Sequence, residues 1–262
     1  MLLALDIGNS GISIGFFSLD SDVPQMAAHA RICTDSRRSI DEYRLLLCDL
    51  MRMYDVDPAQ INAAAISSVV PSLTPTLSEA ARSFTGRTPL VIGPGVHTGL
   101  NIRIDHQVQI GADIVANTVA AVSRAPVPAV IVDLGTVTTI AVVDAQSSLI
   151  GAILCPGVRT SMEAMAQSAA QLNTQDLTRP EALIGKNTTD SINSGVVNGH
   201  IIMIDGFVRE IRQSIPKDGE KLSLIATGGL AERIIPHCRN KFTIIPSLTL
   251  LGIAEIYRRN AK

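Results

Sequence analysis

The 262-residue sequence predicts an α/β protein of two duplicated domains that face each other across a cleft. The first observation is a pattern used twice, an apolar run ending in Asp-x-Gly and a small polar residue. It occurs as Leu2-Leu3-Ala4-Leu5 followed by Asp6-Ile7-Gly8-Asn9-Ser10, and again as Val130-Ile131-Val132 followed by Asp133-Leu134-Gly135-Thr136. Each copy runs on into a second β-rich segment, Ile12 to Phe17 and Thr138 to Val143. Strand, tight turn, strand is the reading, with glycine supplying the turn. The second observation is that β-rich segments alternate with helical periods in both halves, as in a layered α/β domain used twice. The domains divide at 1–115 and 116–262.

In the first half a third strand is expected at Ala30 to Thr34. A helix follows over Asp41 to Met53, where Tyr43, Leu46, Leu47 and Leu50 fall at helical spacing. Ala63 to Val70 reads as a strand that Pro71 stops, with a helix near Pro75 to Phe84 and a short strand at Leu90 to Ile92. Gly111 to Ser123 is a helix rich in small residues that bridges the halves. In the second half the hairpin continues through Leu149 to Leu154, and Pro156-Gly157 turns the chain into a helix at Ser161 to Leu172. One long helix is expected over Thr189 to Gln213 and a buried strand over Leu222 to Ala226. A strand at Phe242 to Ile245 and a helix around Thr249 to Arg258 end the chain. Pro126-Val127-Pro128 is the only stretch that reads as a linker.

Composition narrows the function. With 46% hydrophobic and 18% charged residues the chain folds around real cores. Tryptophan is absent and aromatics are few, which argues against stacking platforms for single-stranded nucleic acid. A net charge of -2 argues against a broad polyanion-binding surface. Cys33, Cys48, Cys155 and Cys238 are scattered without zinc or disulfide spacing and read as isolated buried thiols. There is no basic leader and no apolar run long enough to span a membrane, so a cytoplasmic protein is expected.

A carboxylate at the mouth of a turn suits a metal-bound nucleotide when a glycine beside it admits a phosphate and a hydroxyl stands next door. Two such loops facing each other would grip one nucleotide from both sides, so an ATP-using protein is the leading expectation. Asp6 is read as a Mg²⁺-holding carboxylate beside Gly8, Asn9 and Ser10; the alternative is an Asp that bonds its own turn. Thr136 occupies the second turn and is the better phosphate contact, whereas Thr138 and Thr139 sit at strand positions. Gly111-Ala112-Asp113 opens the bridging helix. Asp113 is either a cap or dipole partner there, or a general base for a hydroxyl attacking a γ-phosphate. Asn117, one turn on, orients a ligand or satisfies the helix. Thr227-Gly228-Gly229-Leu230-Ala231 follows a buried strand and is read as close to the nucleotide, against an ordinary tight turn. Gly185-Lys186-Asn187-Thr188 is no P-loop, because Pro180 stands where the motif's first glycine belongs. His29, His97, His106, His200 and His237 show no metal-ligand spacing.

Taken in order, DIGNS at 6–10, SSVVP at 67–71, TGLNIR at 98–103, GAD at 111–113 and DLGTVTT at 133–139 form a set. PG at 156–157, IGKNT at 184–188, SGVVNG at 194–199, TGGLA at 227–231 and LTLLG at 248–252 complete it. In these motifs the chain resembles the type III pantothenate kinases, of the acetate kinase, sugar kinase and actin superfamily. The resemblance implies two ribonuclease-H-like (actin-like ATPase) domains and a homodimer with substrate sites near its interface. It implies ATP-dependent phosphorylation of pantothenate, the first step of coenzyme A synthesis, with Mg²⁺ and a monovalent cation, K⁺ or NH4⁺. By the same resemblance Asp6, Ile7, Gly8, Asn9, Ser10, Gly11, Ile12 and Ser13 line the ATP phosphates, with Asp6 meeting Mg²⁺ through them. Asp133 holds the monovalent cation, Thr136 contacts ATP and Asp113 is the catalytic base. Gly111, Ala112, Asp113 and Thr188, with positions 104 and 114, meet pantothenate.

Two of those positions depart from the family pattern. Ile114 stands where the family has arginine, and Ile104 where it has an aromatic, usually tyrosine. Gln107 replaces a proline, and Gly151-Ala152 a double glycine. Arginine offers a fork of donors suited to a carboxylate and isoleucine offers none. Losing such a charge-assisted bond costs about 1.5–3 kcal/mol. The nucleotide half of the site is intact and the acceptor half is altered. Two alternatives follow: a family member with a different acceptor, or a catalytically weak ligand-binding or regulatory protein.

Overall fold

A computed structural model describes residues 1–21, 23–105, 110–168, 177–215 and 221–261. Its first strands are β1 (Leu2–Ile7), β2 (Gly11–Ser18), β3 (Gln25–Cys33), β4 (Ala63–Ser68), β5 (Leu90–Val91) and β6 (Asn101–Ile102). They continue with β7 (Ala129–Leu134), β8 (Val137–Val143), β9 (Ser148–Pro156), β10 (Ser223–Thr227) and β11 (Thr243–Ile244). The first helices are α1 (Ile40–Met53), α2 (Thr74–Thr85), α3 (Ala112–Val122) and α4 (Val158–Ser168). Then come α5 (Thr188–Asn193), α6 (Gly199–Ser214), α7 (Ala231–Ile234) and α8 (Leu248–Asn260).

Duplication is visible in the topology. One sheet runs β3-β2-β1-β4-β5, and the other runs β11-β10-β7-β8-β9-β6. Read from its far side the second sheet is β9-β8-β7-β10-β11 with β6 added beyond β9, the same order. The senses agree too: the hairpin partners are antiparallel, while β1 with β4 and β7 with β10 are parallel. Even the register irregularity recurs, at Phe16/Phe17 of β2 and at Val142/Val143 of β8.

The chain separates into two units, one of Met1–Leu100, Asp105–Ser123 and Ser247–Lys262, the other of Asn101–Ile104 and Arg124–Pro246. The expected division between 115 and 116 would cut α3, which lies whole in the first unit. The reason is close packing between α3 and α8. Gly252 of α8 is so near Ala116 of α3 that a Cβ on it would collide with the Ala116 carbonyl. The expected linker Pro126-Val127-Pro128 lies just past the change of unit at Ser123 and Arg124.

In the first unit Leu3, Leu5 and Ile7 of β1 and Ile12, Ile14 and Phe16 of β2 pack against Tyr43, Leu47 and Met51 of α1 and Leu77, Ala80 and Ala81 of α2. A capping box starts α1: Glu42 N–H donates to Ser39 Oγ at 3.3 Å, and Ser39 N–H to Glu42 Oε2 at 2.7 Å. The other face of the sheet is made small so that helices can approach. A Cβ on Gly15 of β2 would lie 3.3 Å from Leu250 Cδ1 of α8, and α8 packs on β1, β2 and β4 while α3 packs on β4. In the second unit Val130, Val132 and Leu134 of β7 meet Val158 and Met162 of α4 and Ile201, Ile204 and Val208 of α6.

Three expectations need correction. The single helix expected over Thr189 to Gln213 is α5, a π-helical turn at Ser194–Asn198, and α6. Polar side chains account for the interruption: Ser194 Oγ donates to the Leu183 carbonyl and accepts from Asn198 Nδ2 at 3.0 Å. The thiols are not uniformly buried, since Cys33 on β3 is exposed and Cys48, Cys155 and Cys238 are half-buried. The helix expected from Ser161 starts earlier, at Val158; its last expected residues, 169–172, together with His106 and Gln107, lie outside the described residues. β6 and α7 were not expected. Among the described residues no helix is long and apolar enough to cross a membrane.

Candidate active site

Asp6 stands at the next-to-last position of β1, flanked on both sides by hydroxyls. Its register partners are Ser13 on antiparallel β2 and Ser67 on parallel β4. Ser67 is fully buried, and its Oγ donates to Asp6 Oδ1 at 3.0 Å. Residues paired across neighbouring strands share a face, so Asp6, Ser13 and Ser67 lie on the face that α3 and α8 cover. The turn beyond β1 is closed by Gly8 N–H donating to the Gly11 carbonyl at 3.0 Å. Thr34 Oγ1, just past β3, donates to the Gly8 carbonyl at 2.6 Å. The Asp-x-Gly turn is therefore tied to its sheet from both ends, while Asn9 and Ser10 at its tip are exposed.

Asp113 enters from α3. Gly111 is the N-cap residue of that helix, and a Cβ on it would collide with Asp113 Oδ1. The Gly111 backbone (φ -61°) is open to any residue, so a larger residue there would act by displacing the Asp113 carboxylate. The same Cβ would lie 3.7 Å from Val69 Cγ1, and Val69 N–H extends the β1–β4 ladder by donating to the Ile7 carbonyl at 3.0 Å. The start of α3 thus abuts the carboxyl ends of β1 and β4, where Asp6 sits. Carboxyl ends of parallel strands are where ligands bind in open α/β sheets. Asp113 Oδ1 accepts from Ile114 N–H at 2.8 Å. Burial nevertheless pushes its carboxyl above the usual carboxylate range, against the pull of the Ile114 and Asp113 backbone N–H groups. A half-buried carboxylate of raised basicity is suited to taking a proton.

The second unit repeats the acidic mouth. Asp133, half-buried near the end of β7, is paired with Thr139 on β8 and Thr227 on β10. Gly228 has φ +95°, and a Cβ there would collide with Asp133 Oδ1 and lie 2.6 Å from Leu134 N. Both the left-handed backbone and the contact exclude a side chain. The Thr136 carbonyl accepts from Gly157 N–H at 3.0 Å and from Thr160 Oγ1 at 2.7 Å, which fixes the second turn on the start of α4. Leu230 also borders a cavity of about 370 Å³ with Arg179, Arg233 and His237 on its walls. Neither Asp133 nor Thr136 lines that cavity.

Residues 2–210 match the profile of the type III pantothenate kinases. A type III pantothenate kinase from Streptomyces coelicolor is 38% identical over 265 residues, covering 99% of this chain and 98% of that one. The chain belongs to the type III pantothenate kinase family. Another member, from Exiguobacterium sibiricum, is 37% identical over 99% of this chain and 100% of its own. The fold is that of the actin-like ATPases and sugar kinases. The activator of the 2-hydroxyisocaproyl-CoA dehydratase from Clostridium difficile, solved with bound ADPNP, superposes with a TM-score of 0.52 at 12% identity, covering 100% of this chain and 98% of that one.

The remaining residues that the kinase family pattern singles out fall in different settings. Ile7 and Ile12 are fully buried core residues, so they offer a ligand only backbone groups. Ile114, at the family's arginine position, is 5% exposed on α3. Ile104 is half-buried and belongs to the second unit. Thr188 is the exposed first residue of α5, behind an N-cap at Asn187 whose Oδ1 accepts from Asp190 N–H at 2.8 Å. Asn117 is 2% exposed and accepts from Thr249 Oγ1 of α8 at 2.8 Å, a tie between helices that neither expectation included. His200 is a core histidine whose ring nitrogens face the Val196 and Pro156 carbonyls at 2.7 and 3.0 Å. Thr34 was not singled out beforehand, and Ser67 only as the first residue of the SSVVP motif. The signal available for Ser67 was a hydroxyl closing an otherwise apolar strand.

Proposed function

We propose that this kinase transfers the γ-phosphoryl group of ATP to the primary hydroxyl of pantothenate. The observation that carries the reading is the Asp113 carboxyl, raised in basicity by burial and set beside the β1–β4 edge that holds Asp6. Asp113 takes the hydroxyl proton as the oxygen attacks γ-phosphorus, the β–γ bridging bond breaks, and ADP leaves with the electron pair. The turn at Gly8 to Ser13 presents backbone to the phosphates, and by the family resemblance Thr136 is read as a further nucleotide contact. The protein is read as a cytoplasmic homodimer.

The oxygen donors fit the expected cations. Among the described residues no group of three or more His, Cys, Asp or Glu side chains is placed to hold a metal. Mg²⁺ needs no such group, because it binds through one or two carboxylates plus substrate phosphates and water. Asp6, held by Ser67, would be its protein contact. When bound, Mg²⁺ neutralises charge on the phosphates. Asp133, in the side-chain-free cradle of Gly228, would hold K⁺ or NH4⁺.

The test is ADP release with Mg-ATP and pantothenate in potassium buffer, for the wild type and Asp113→Asn. Turnover by the wild type and its loss in the variant are expected. Absence of wild-type turnover, or equal turnover in the two proteins, would overturn the reading. A second reading rests on Ile114 and Ile104: the same chemistry on an alcohol that lacks the carboxylate an arginine would pair. Turnover of pantetheine in place of pantothenate would favour it.

A further inference from the structure

We propose that Arg31 is a further catalytic residue, whose guanidinium binds the terminal phosphates of the nucleotide; this rests on the ATP-dependent reading above. The register places it there. Arg31 of β3 is opposite Ser13 of β2, which is opposite Asp6 of β1, which is opposite Ser67 of β4. The four side chains therefore form one row across four strands, on the face that also receives α3 and Asp113. From its position beside Ser13 the Arg31 side chain bends toward the turn and lies over Gly11. A Cβ on Gly11 would be 2.7 Å from Nε, 3.1 Å from Nη2 and 3.3 Å from Cζ. Gly11 thus leaves the space that the guanidinium occupies beside the turn.

Charge distinguishes this arginine from its neighbour. Arg37, six residues on, is paired with Asp35, Nε to Oδ1 at 3.0 Å and Nη2 to Oδ2 at 3.1 Å, and that pairing lowers the Asp35 carboxyl to about 2. The Arg31 backbone is paired with Ser13 of β2, but among the described residues its guanidinium meets no carboxylate or hydrogen-bond acceptor, and the residue is exposed. An unpaired planar fork of donors, next to a glycine turn and in line with a Mg²⁺-type carboxylate, has the chemistry to bind β- and γ-phosphate oxygens. Arginine at that place compensates the charge that spreads over the phosphoryl oxygens during transfer.

The experiment measures binding of ATP, ADP and AMP by calorimetry, and steady-state kinetics, for the wild type, Arg31→Gln and Arg31→Lys. Arg31→Gln is expected to weaken ATP about 10- to 100-fold and to lower kcat, with AMP affinity and the KM for pantothenate unchanged. Arg31→Lys recovers part of the loss. Gly11→Ala, which keeps the charge but displaces the guanidinium, is expected to weaken ATP in the same direction. If the wild type binds ATP and Arg31→Gln binds it equally well, Arg31 is not a phosphate ligand. Equal weakening of ATP and AMP also overturns the assignment, because it marks a structural role. Should Arg31→Gln fail to fold, the same ATP-to-AMP comparison on Arg31→Lys decides. A wild type that binds no ATP at all instead defeats the underlying kinase reading, and the assignment with it.

Discussion

Ser67 Oγ donates to Asp6 Oδ1 at 3.0 Å across the parallel β1–β4 pair. The bond joins residues 61 positions apart in the chain. It fixes one carboxylate oxygen of Asp6 while the strand fixes its direction. A hydrogen bond to a charged acceptor is worth about 1.5–3 kcal/mol, so the carboxylate is held in one orientation rather than free to rotate.

Ser67→Ala is accordingly expected to raise the KM for Mg-ATP about tenfold, a typical share of that bond energy. The alanine fits the same buried space, but the lost hydrogen bond also supports the fold, so the melting temperature should fall by a few degrees. Titration with Mg²⁺ at fixed ATP checks the assignment, since a loosened Asp6 shifts the Mg²⁺ requirement upward. An unchanged requirement would mean that Ser67 only fills space.

Gly228 and Gly86 separate two reasons for a left-handed glycine. Gly86 caps α2 at φ +64° with open space where a Cβ would go, whereas Gly228 at φ +95° lies against Asp133 and Leu134. Gly86→Ala is expected to cost about 1 kcal/mol, the backbone term alone. Gly228→Ala adds a collision with backbone and should cost at least about 2–3 kcal/mol. Denaturant unfolding of both variants measures the difference. Similar losses would show that the β7 contact at Gly228 relaxes freely.

The duplicated fold was legible because its signal is local: an Asp-x-Gly turn between two β runs needs no tertiary information. Both hairpins and most helices follow from it and from apolar periodicity. The row Ser67, Asp6, Ser13 and Arg31 was not legible, because strand register across four strands is set by packing far apart in sequence. The membership of α3 and α8 in one unit was hidden for the same reason. A glycine at 252 reads as a helix defect until Ala116 is seen beneath it. The π-helical turn at Ser194–Asn198 escaped because apolar spacing continues through it, while side-chain hydrogen bonds set the extra residue.

Ile114→Arg combined with Ile104→Tyr restores the family's residues at the two altered positions. Lower KM for pantothenate, by about tenfold for one recovered charge-assisted bond, is expected if these positions face the acceptor. Ile114 is 5% exposed, so the arginine should also lower the melting temperature. Kinetics with pantothenate and pantetheine separate the effects. A stability loss with no change in pantothenate KM would assign position 114 to the core.

The raised basicity of Asp113 predicts opposite pH trends for activity and stability. As a base Asp113 must be ionised, so kcat/KM should fall with acid at a higher pH than an ordinary carboxylate near 3.8 would give. Asp113→Asn should lose about 10²–10⁴-fold in kcat and lack that acid limb. For stability, the folded state holds the proton more tightly than the unfolded chain. Between the unfolded value and the raised folded value the folded state binds more protons, so stability declines as pH rises through that window. Below about 3.8 both states are protonated and the penalty vanishes. Asp113→Asn never carries the buried charge, and its Oδ1 can still accept from Ile114 N–H. The variant should therefore melt higher than the wild type at pH 7, by a margin that shrinks as the pH falls toward 3.8. Melting curves that ran parallel across this range would show that the Asp113 carboxyl titrates normally, and the case for it as a tuned base would fail with them.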